Sequence, residues 1–184
     1  PHLEIQMPAI WYEVGLHAPG MDVTGFSFAG VPGVIIGHND NIAWGVTNTG
    51  ADVQDLFIER INPDNPNQYE YMGEWQDMQI INETIKVNGG DDITLPVRVT
   101  RHGPIISDVL EDQKDALAVQ WTAEEPSRVL QSVILINQAQ NYEQFREALR
   151  YWDVPSQNFV YADTEGNIAY QMPGLTPIRK NGNG

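Results

Sequence analysis

The stretch 33–59, GVIIGHNDNIAWGVTNTGADVQDLFIE, constrains the fold more than any other part of the chain. An apolar run at 33–37 ends in the polar corner His38-Asn39-Asp40-Asn41, and a second apolar run occupies 42–47. Two β-branched runs about a short Asn/Asp corner predict a hairpin, because Asn and Asp side chains bond their own backbone and tolerate turn conformations. Beyond it come Asn48-Thr49-Gly50-Ala51, the acidic Asp52-Val53-Gln54-Asp55, and a third apolar run, Leu56-Phe57-Ile58. Strands on both sides of a small polar loop hold its N–H and C=O groups in set directions, which suits a site. A plain hairpin with a solvated turn fits the same pattern.

Elsewhere the pattern is also strand-like. Residues 11–17 and 23–28 read as strands about the turn Ala18-Pro19-Gly20-Met21-Asp22. Residues 62–67 carry two prolines, which donate nothing to a ladder, and read as loop. From Tyr69 the pattern is a meander: strands at 69–72, 75–87 and 93–100, the last with Pro96 marking an edge or bulge. Strands at 105–107 and 116–121 enclose an acidic loop. The period then changes. A helix is predicted over 126–138, with Pro126 in its first turn. A second begins at Asn141, an N-cap whose partner in a capping box is Gln144. Tyr142, Phe145, Leu149 and Trp152 form an apolar stripe at helical spacing. Strands at 158–163 and 167–172 flank Thr164-Glu165-Gly166. Strands, then two consecutive helices within 126–152, then strands predict an α+β layering.

Composition removes several function classes. The 184 residues are 41% hydrophobic, enough for one domain with a core. With 25 acidic against 10 basic residues the formal charge is −15, which argues against nucleic acid or an anionic membrane as partner and suits a cation. No apolar run reaches bilayer length, and the first residues show no signal-peptide pattern, so a soluble chain is expected, compatible with the mature part of an exported protein. The absence of cysteine excludes disulfides, zinc-thiolate sites and thiol nucleophiles.

Few residues point to chemistry by type and spacing alone. The four histidines, His2, His17, His38 and His102, share no metal-ligand spacing. No serine-hydrolase elbow, phosphate loop or dinucleotide fingerprint is present. The segment 163–167 has the polarity of a calcium loop without its spaced ligands and reads as a turn. Asp52-Val53-Gln54-Asp55 is the better metal candidate, since carboxylates and a carbonyl are hard oxygen donors suited to Ca²⁺. Two carboxylates do not fill a shell of roughly six to eight oxygens, so other ligands are required, or the segment is a solvated acidic turn.

Taken together, the small motifs carry a resemblance. In order they are Pro1-His2-Leu3, Trp11-Tyr12, Leu16-His17, Asp22-Val23-Thr24-Gly25, Gly37-His38-Asn39, Ala43-Trp44-Gly45 and Thr47-Asn48. Asp52-Val53-Gln54-Asp55, Arg101-His102-Gly103-Pro104, Tyr161-Ala162-Asp163, Gly166-Asn167-Ile168 and Pro177-Ile178-Arg179 follow. Over its whole length the chain resembles the β-chain of the penicillin acylase (penicillin amidase) family of N-terminal-nucleophile hydrolases, which includes acyl-homoserine-lactone acylases.

The resemblance implies an αββα sandwich and hydrolysis of a linear amide. It implies a self-cleaving precursor whose new N-terminal serine attacks the carbonyl while its own α-amine acts as base. Residue by residue, it makes the backbone N–H of Asn48 an oxyanion donor and His2 the residue that orients the nucleophile. It makes Leu3, Ile36 and Val46 lining of the acyl pocket, and Asp52, Gln54 (through its carbonyl) and Asp55 ligands of a structural Ca²⁺. No organic cofactor is implied. The family's serine lies upstream of its Pro-His segment, and Ser27, Ser107, Ser127, Ser132 and Ser156 do not match it. Residues 1–184 are thus expected to be a single fragment of the β-chain, without the nucleophile segment and the C-terminal remainder, and inactive alone. The implied partners are the α-chain, the rest of the β-chain and a small acyl amide, in a periplasmic or secreted parent. The competing expectation is a non-enzymatic, calcium-stabilised β-rich binding module.

Overall fold

The computed structural model describes residue 3, residues 5–110 and residues 112–180. In chain order the elements are β1 (Trp11–Ala18), β2 (Met21–Phe28), β3 (Ile36–Asn39), β4 (Ile42–Asn48), β5 (Gln54–Glu59), β6 (Ile61–Asn62), β7 (Asn65–Tyr71) and β8 (Glu74–Asp77). There follow β9 (Gln79–Ile85), β10 (Ile93–Thr100), β11 (Gly103–Pro104), β12 (Ala116–Trp121), α1 (Val129–Gln138), α2 (Tyr142–Leu149), β13 (Gln157–Asp163) and β14 (Ile168–Gln171). They group into two compact units, one of residues 1–53 with 125–184 and one of residues 54–124.

The first unit is an antiparallel sheet in the order β1-β2-β3-β4-β13-β14, with α1 and α2 on one face. The period-2 alternation decides which face. Along β4, Ile42 and Trp44 are buried while Ala43 between them is exposed. Val23, Ile42, Trp44, Phe159 and Tyr161 of the sheet meet Val133, Ile136, Phe145 and Leu149 of the helices and Trp152 just beyond them. The opposite face presents Phe26, Val160, Ile168 and Tyr170 to solvent. A helical layer on one face of an antiparallel sheet is an α+β architecture, as the change of period predicts.

One device ties a helix to the sheet side, and a second draws two strands close together. Asn137 of α1 is buried, and its side-chain amide accepts from the Val34 N–H and donates to the Val34 C=O, both at 2.7 Å. It thereby satisfies a buried backbone segment that has left the ladder. Gly25 and Gly37 face each other across β2 and β3; a Cβ on Gly25 would lie 2.1 Å from the Ile36 carbonyl oxygen, so only glycine fits. The stripe predicted on α2 is the core face, with Phe145 and Leu149 each 1% exposed. Asn141 caps α2 by accepting from the Gln144 N–H. Gln144 reaches back to the N–H of Gln140, one residue earlier than a capping box would place it.

The second unit holds three small sheets, β12-β5, β6-β7-β8 and β11-β10-β9, about a core of Tyr69, Met78, Ile105 and Ala118. Glu59 is buried beside this core. Its Oε1 takes the Thr100 hydroxyl at 2.6 Å and lies 2.8 Å from His102 Nδ1, and Phe57 stacks on the His102 ring.

Several sequence expectations are corrected. Of residues 62–67 only 63 and 64 are a turn: β6 ends at Asn62 and β7 begins at Asn65, with Pro66 inside it. The strand expected over 75–87 is two strands, divided at buried Met78: its N–H still bonds the Asn67 carbonyl in the register of β7 and β8, and from Gln79 on the chain pairs with β10 instead. The third apolar run, Leu56-Phe57-Ile58, forms a strand as expected, and its partner is β12. Residues 105–107 make one bridge, Ile105 to Ala118, and then a 3-10 turn. Helix α1 starts at Val129 instead of Pro126, because Asp153 takes the N–H of Arg128 and fixes the start there.

Candidate functional site

The C-terminal end of β4 carries a polar network. Its backbone direction follows from register. The Thr164 N–H bonds the Asn41 carbonyl, and β4 pairs with β13 without interruption from Ile42↔Asp163 to Asn48↔Gln157. In an antiparallel ladder alternate residues turn their polar groups to alternate neighbours, so positions 41, 43, 45 and 47 face β13. The N–H of Asn48 therefore faces the other edge. On that edge β3 pairs only at Gly37↔Trp44 and His38↔Ala43. Among the described residues no strand lies alongside Asn48 on that side. The strand thus ends with a backbone donor aimed off its free edge.

Side chains hold this end in place. Buried Gln157 donates to the Asn48 side-chain oxygen at 2.7 Å. Asn158 donates to Thr47 Oγ1 at 3.2 Å and to the Asn48 carbonyl at 3.1 Å. Tyr170 on β14 donates its hydroxyl to Asn158 Oδ1 at 2.5 Å. The Thr49 N–H and hydroxyl both reach the Ser156 carbonyl. Sequence reasoning missed Gln157, Asn158 and Tyr170. The available signal was two amide side chains where the strand QNFVYAD begins, one of them on its buried face.

The other predicted site residues are dispersed. His2 lies outside the described residues. Leu3 is half-buried in an irregular segment before β1. Ile36 and Val46 are half-buried but lie on opposite faces of the sheet: Ile36 pairs with exposed Phe26, and Val46 pairs with buried Phe159. The sheet does not bring Ile36 and Val46 together on one wall.

The acidic segment offers oxygen donors but not a full set. Asp52 precedes β5; its carboxylate is 3.4 Å from Arg179, and its carbonyl accepts from the same guanidinium. Gln54 and Asp55 are the first residues of β5, opposite Trp121 and Gln120. Among the described residues no three acidic or histidine side chains converge as a metal site. The donor chemistry suits Ca²⁺, but the three named donors are too few for its shell, and a guanidinium already neutralises one of them.

The remaining polar clusters serve the fold. Asp163 accepts the Asn167 side-chain amide, the Tyr161 hydroxyl and the N–H groups of Glu165 and Asn167, so the 163–167 turn is closed on itself. The Asn167 amide foremost holds the Asp163 carboxyl below its ordinary range, and burial pushes the Tyr161 phenol up. Ser27, Ser107, Ser127 and Ser132 each bond nearby backbone, and the Ser156 hydroxyl is buried without a partner among the described residues.

Comparison with known proteins agrees with this architecture. The family model described as penicillin amidase matches residues 1–184. The acyl-homoserine lactone acylase QuiP of Pseudomonas aeruginosa is 32% identical over 100% of this chain and 23% of its own length. The penicillin G acylase of Escherichia coli is 34% identical over 95% of this chain and 21% of its own. The solved thermostable penicillin G acylase from Alcaligenes faecalis superposes with a TM-score of 0.85 at 32% identity, over 95% of this chain and 32% of that one. The fold and these relatives define a class, the amide-cleaving acylases. Within it, the chain belongs to the penicillin amidase family. It spans less than a quarter of the length of the two curated relatives.

Proposed function

We propose that these residues form part of the catalytic chain of a serine amidohydrolase that cleaves an acyl group from a linear amide, penicillin-like or acyl-homoserine-lactone-like. The observation that carries the reading is the Asn48 N–H, turned off the free edge of β4 and stiffened by Gln157 and Asn158. In acyl transfer the attacked carbonyl oxygen gains negative charge, and preorganised donors aimed at it stabilise the transition state without reorganising. Asn48 is in this reading one such donor. The nucleophile is an N-terminal serine outside the 184 residues, with its own α-amine as base, since such an amine has an ordinary pKa of about 7.7–8.0 and is partly neutral near pH 7. The serine oxygen bonds to the acyl carbon, its proton passes through the amine to the departing nitrogen, and water then releases the acid. His2 orients that serine, and Leu3, Ile36 and Val46 are the residues that the family resemblance assigns to the acyl pocket.

Asp52, Gln54 and Asp55 belong in this reading to a structural Ca²⁺ site completed by residues elsewhere in the parent. The same parent supplies the α-chain and the rest of the β-chain, and works in the periplasm or outside the cell. The test is amine release by the complete protein from phenylacetyl amides, long-chain acyl amides and acyl-homoserine lactones. Turnover of at least one class is expected. Absence of turnover across all of them, with the protein folded and processed, would overturn the reading.

A further inference from the structure

We propose that Asn158, oriented by Tyr170, is a positioning residue for the backbone donor at Asn48; the proposal rests on the reading of Asn48 given above. The orientation of the Asn158 amide is dictated by chemistry. The Asn48 carbonyl only accepts, so the group 3.1 Å from it is the Asn158 NH₂. The Asn158 oxygen is thereby turned to Tyr170, whose hydroxyl donates to it at 2.5 Å. Remove that hydroxyl, and the amide loses one of the contacts that set its direction, the one on its oxygen.

The end of β4 needs such support. A strand with a ladder on one side only has freedom to twist and fray, and here the free side carries the donor. Asn48 is gripped from both faces of the sheet instead. Gln157 holds its side chain on the helix-covered face. Asn158 holds its carbonyl, and the Thr47 hydroxyl before it, on the open face. These contacts tether the Asn48 side chain, its carbonyl and the preceding Thr47 side chain, and so restrain the backbone about the Asn48 Cα that sets the direction of its N–H. Small displacements of a preorganised group cost rate far more than they cost stability. Tyr170 is 61% exposed, so its hydroxyl contributes nothing to core packing, and its loss isolates the orienting role.

The experiment uses the complete processed enzyme with Asn158→Leu, Tyr170→Phe and, as reference, Asn48→Pro. The readouts are kcat and KM, the unfolding temperature, and the affinity of a boronic acid that mimics the tetrahedral intermediate. Loss of a whole oxyanion donor costs about 10²–10³ in kcat. Misaiming it is expected to cost a part of that, about tenfold or more for Asn158→Leu and less for Tyr170→Phe. KM and unfolding temperature should be unchanged, and boronic acid affinity should fall in parallel with kcat. Should Asn158→Leu not fold, the Tyr170→Phe result alone decides. Unchanged kcat in the folded variants, with Asn48→Pro severely impaired, overturns the positioning role and leaves the reading of Asn48 standing. Unchanged kcat in all three overturns both. A fall in kcat matched by a fall in unfolding temperature, with boronic acid affinity retained, makes Asn158 merely structural and also overturns the proposal.

Discussion

Asn137 does for Val34 what a neighbouring strand would otherwise do. Both backbone groups of a residue only 1% exposed depend on one side chain. Asn137→Leu keeps the volume and strands a donor and an acceptor, each costing about 1–3 kcal/mol. Chemical unfolding should show a loss of about 2–5 kcal/mol, and a change below about 1 kcal/mol would contradict the assignment. Asp153 gives a residue-scale prediction in pH. The N–H of Arg128, with its guanidinium, holds this buried carboxyl below the ordinary carboxylate range. Its folded-state value is lowered, so its contribution is fully present above the unfolded value near 3.9 and is lost as pH falls through the folded one. Asp153→Asn should lower stability at pH 7 and flatten the acid limb of the stability curve. An unchanged acid limb would show that this carboxyl does not drive the loss. Neither residue stood out in the sequence, because each partner lies far along the chain.

At the scale of elements, the glycines of β2 and β3 show what the pattern conveyed and what it did not. The hairpin at 36–48 was legible from two apolar runs and an Asn/Asp corner, and Asn39 closes it by accepting from the Asn41 and Ile42 N–H groups. The close approach of Gly25 to Gly37 was not legible, since it depends on which strands pair. Gly25→Ala places a methyl against backbone oxygen and Cα atoms, with no flexible side chain to yield. A cost of about 3 kcal/mol or more is expected by thermal unfolding, at the upper end of overpacking effects; a cost under about 1 kcal/mol would mean that the two strands separate easily. The helix stripe and the α2 cap were legible because they are local. The start of α1 was not, because Asp153 sets it from 25 residues away. The break at Met78 was hidden because residues on both sides of it continue to favour strand.

At the scale of the whole molecule, two units with separate cores are tied to one family by comparisons that span the entire chain. The α+β layering was legible in the change of period, whereas the division into two units was not, since composition reports only the total apolar content. The site was legible only through the resemblance, since its geometry comes from contacts such as Gln157 to Asn48, 109 residues apart. Calcium titration of the complete protein should show Asp52→Ala binding more weakly than the unaltered protein; equal affinity would remove Asp52 from the ligand set. The isolated 184-residue chain should release no amine from any acyl amide, because the nucleophile and its base are one residue in this mechanism and such groups act as a unit. The proposed oxyanion donor is a single N–H, and Asn48→Pro in the complete processed enzyme removes it. That N–H faces a free strand edge, so proline breaks no ladder bond there. The expected result is a kcat lower by about 10²–10³ with KM little changed. Retention of full kcat by a folded Asn48→Pro enzyme would contradict it.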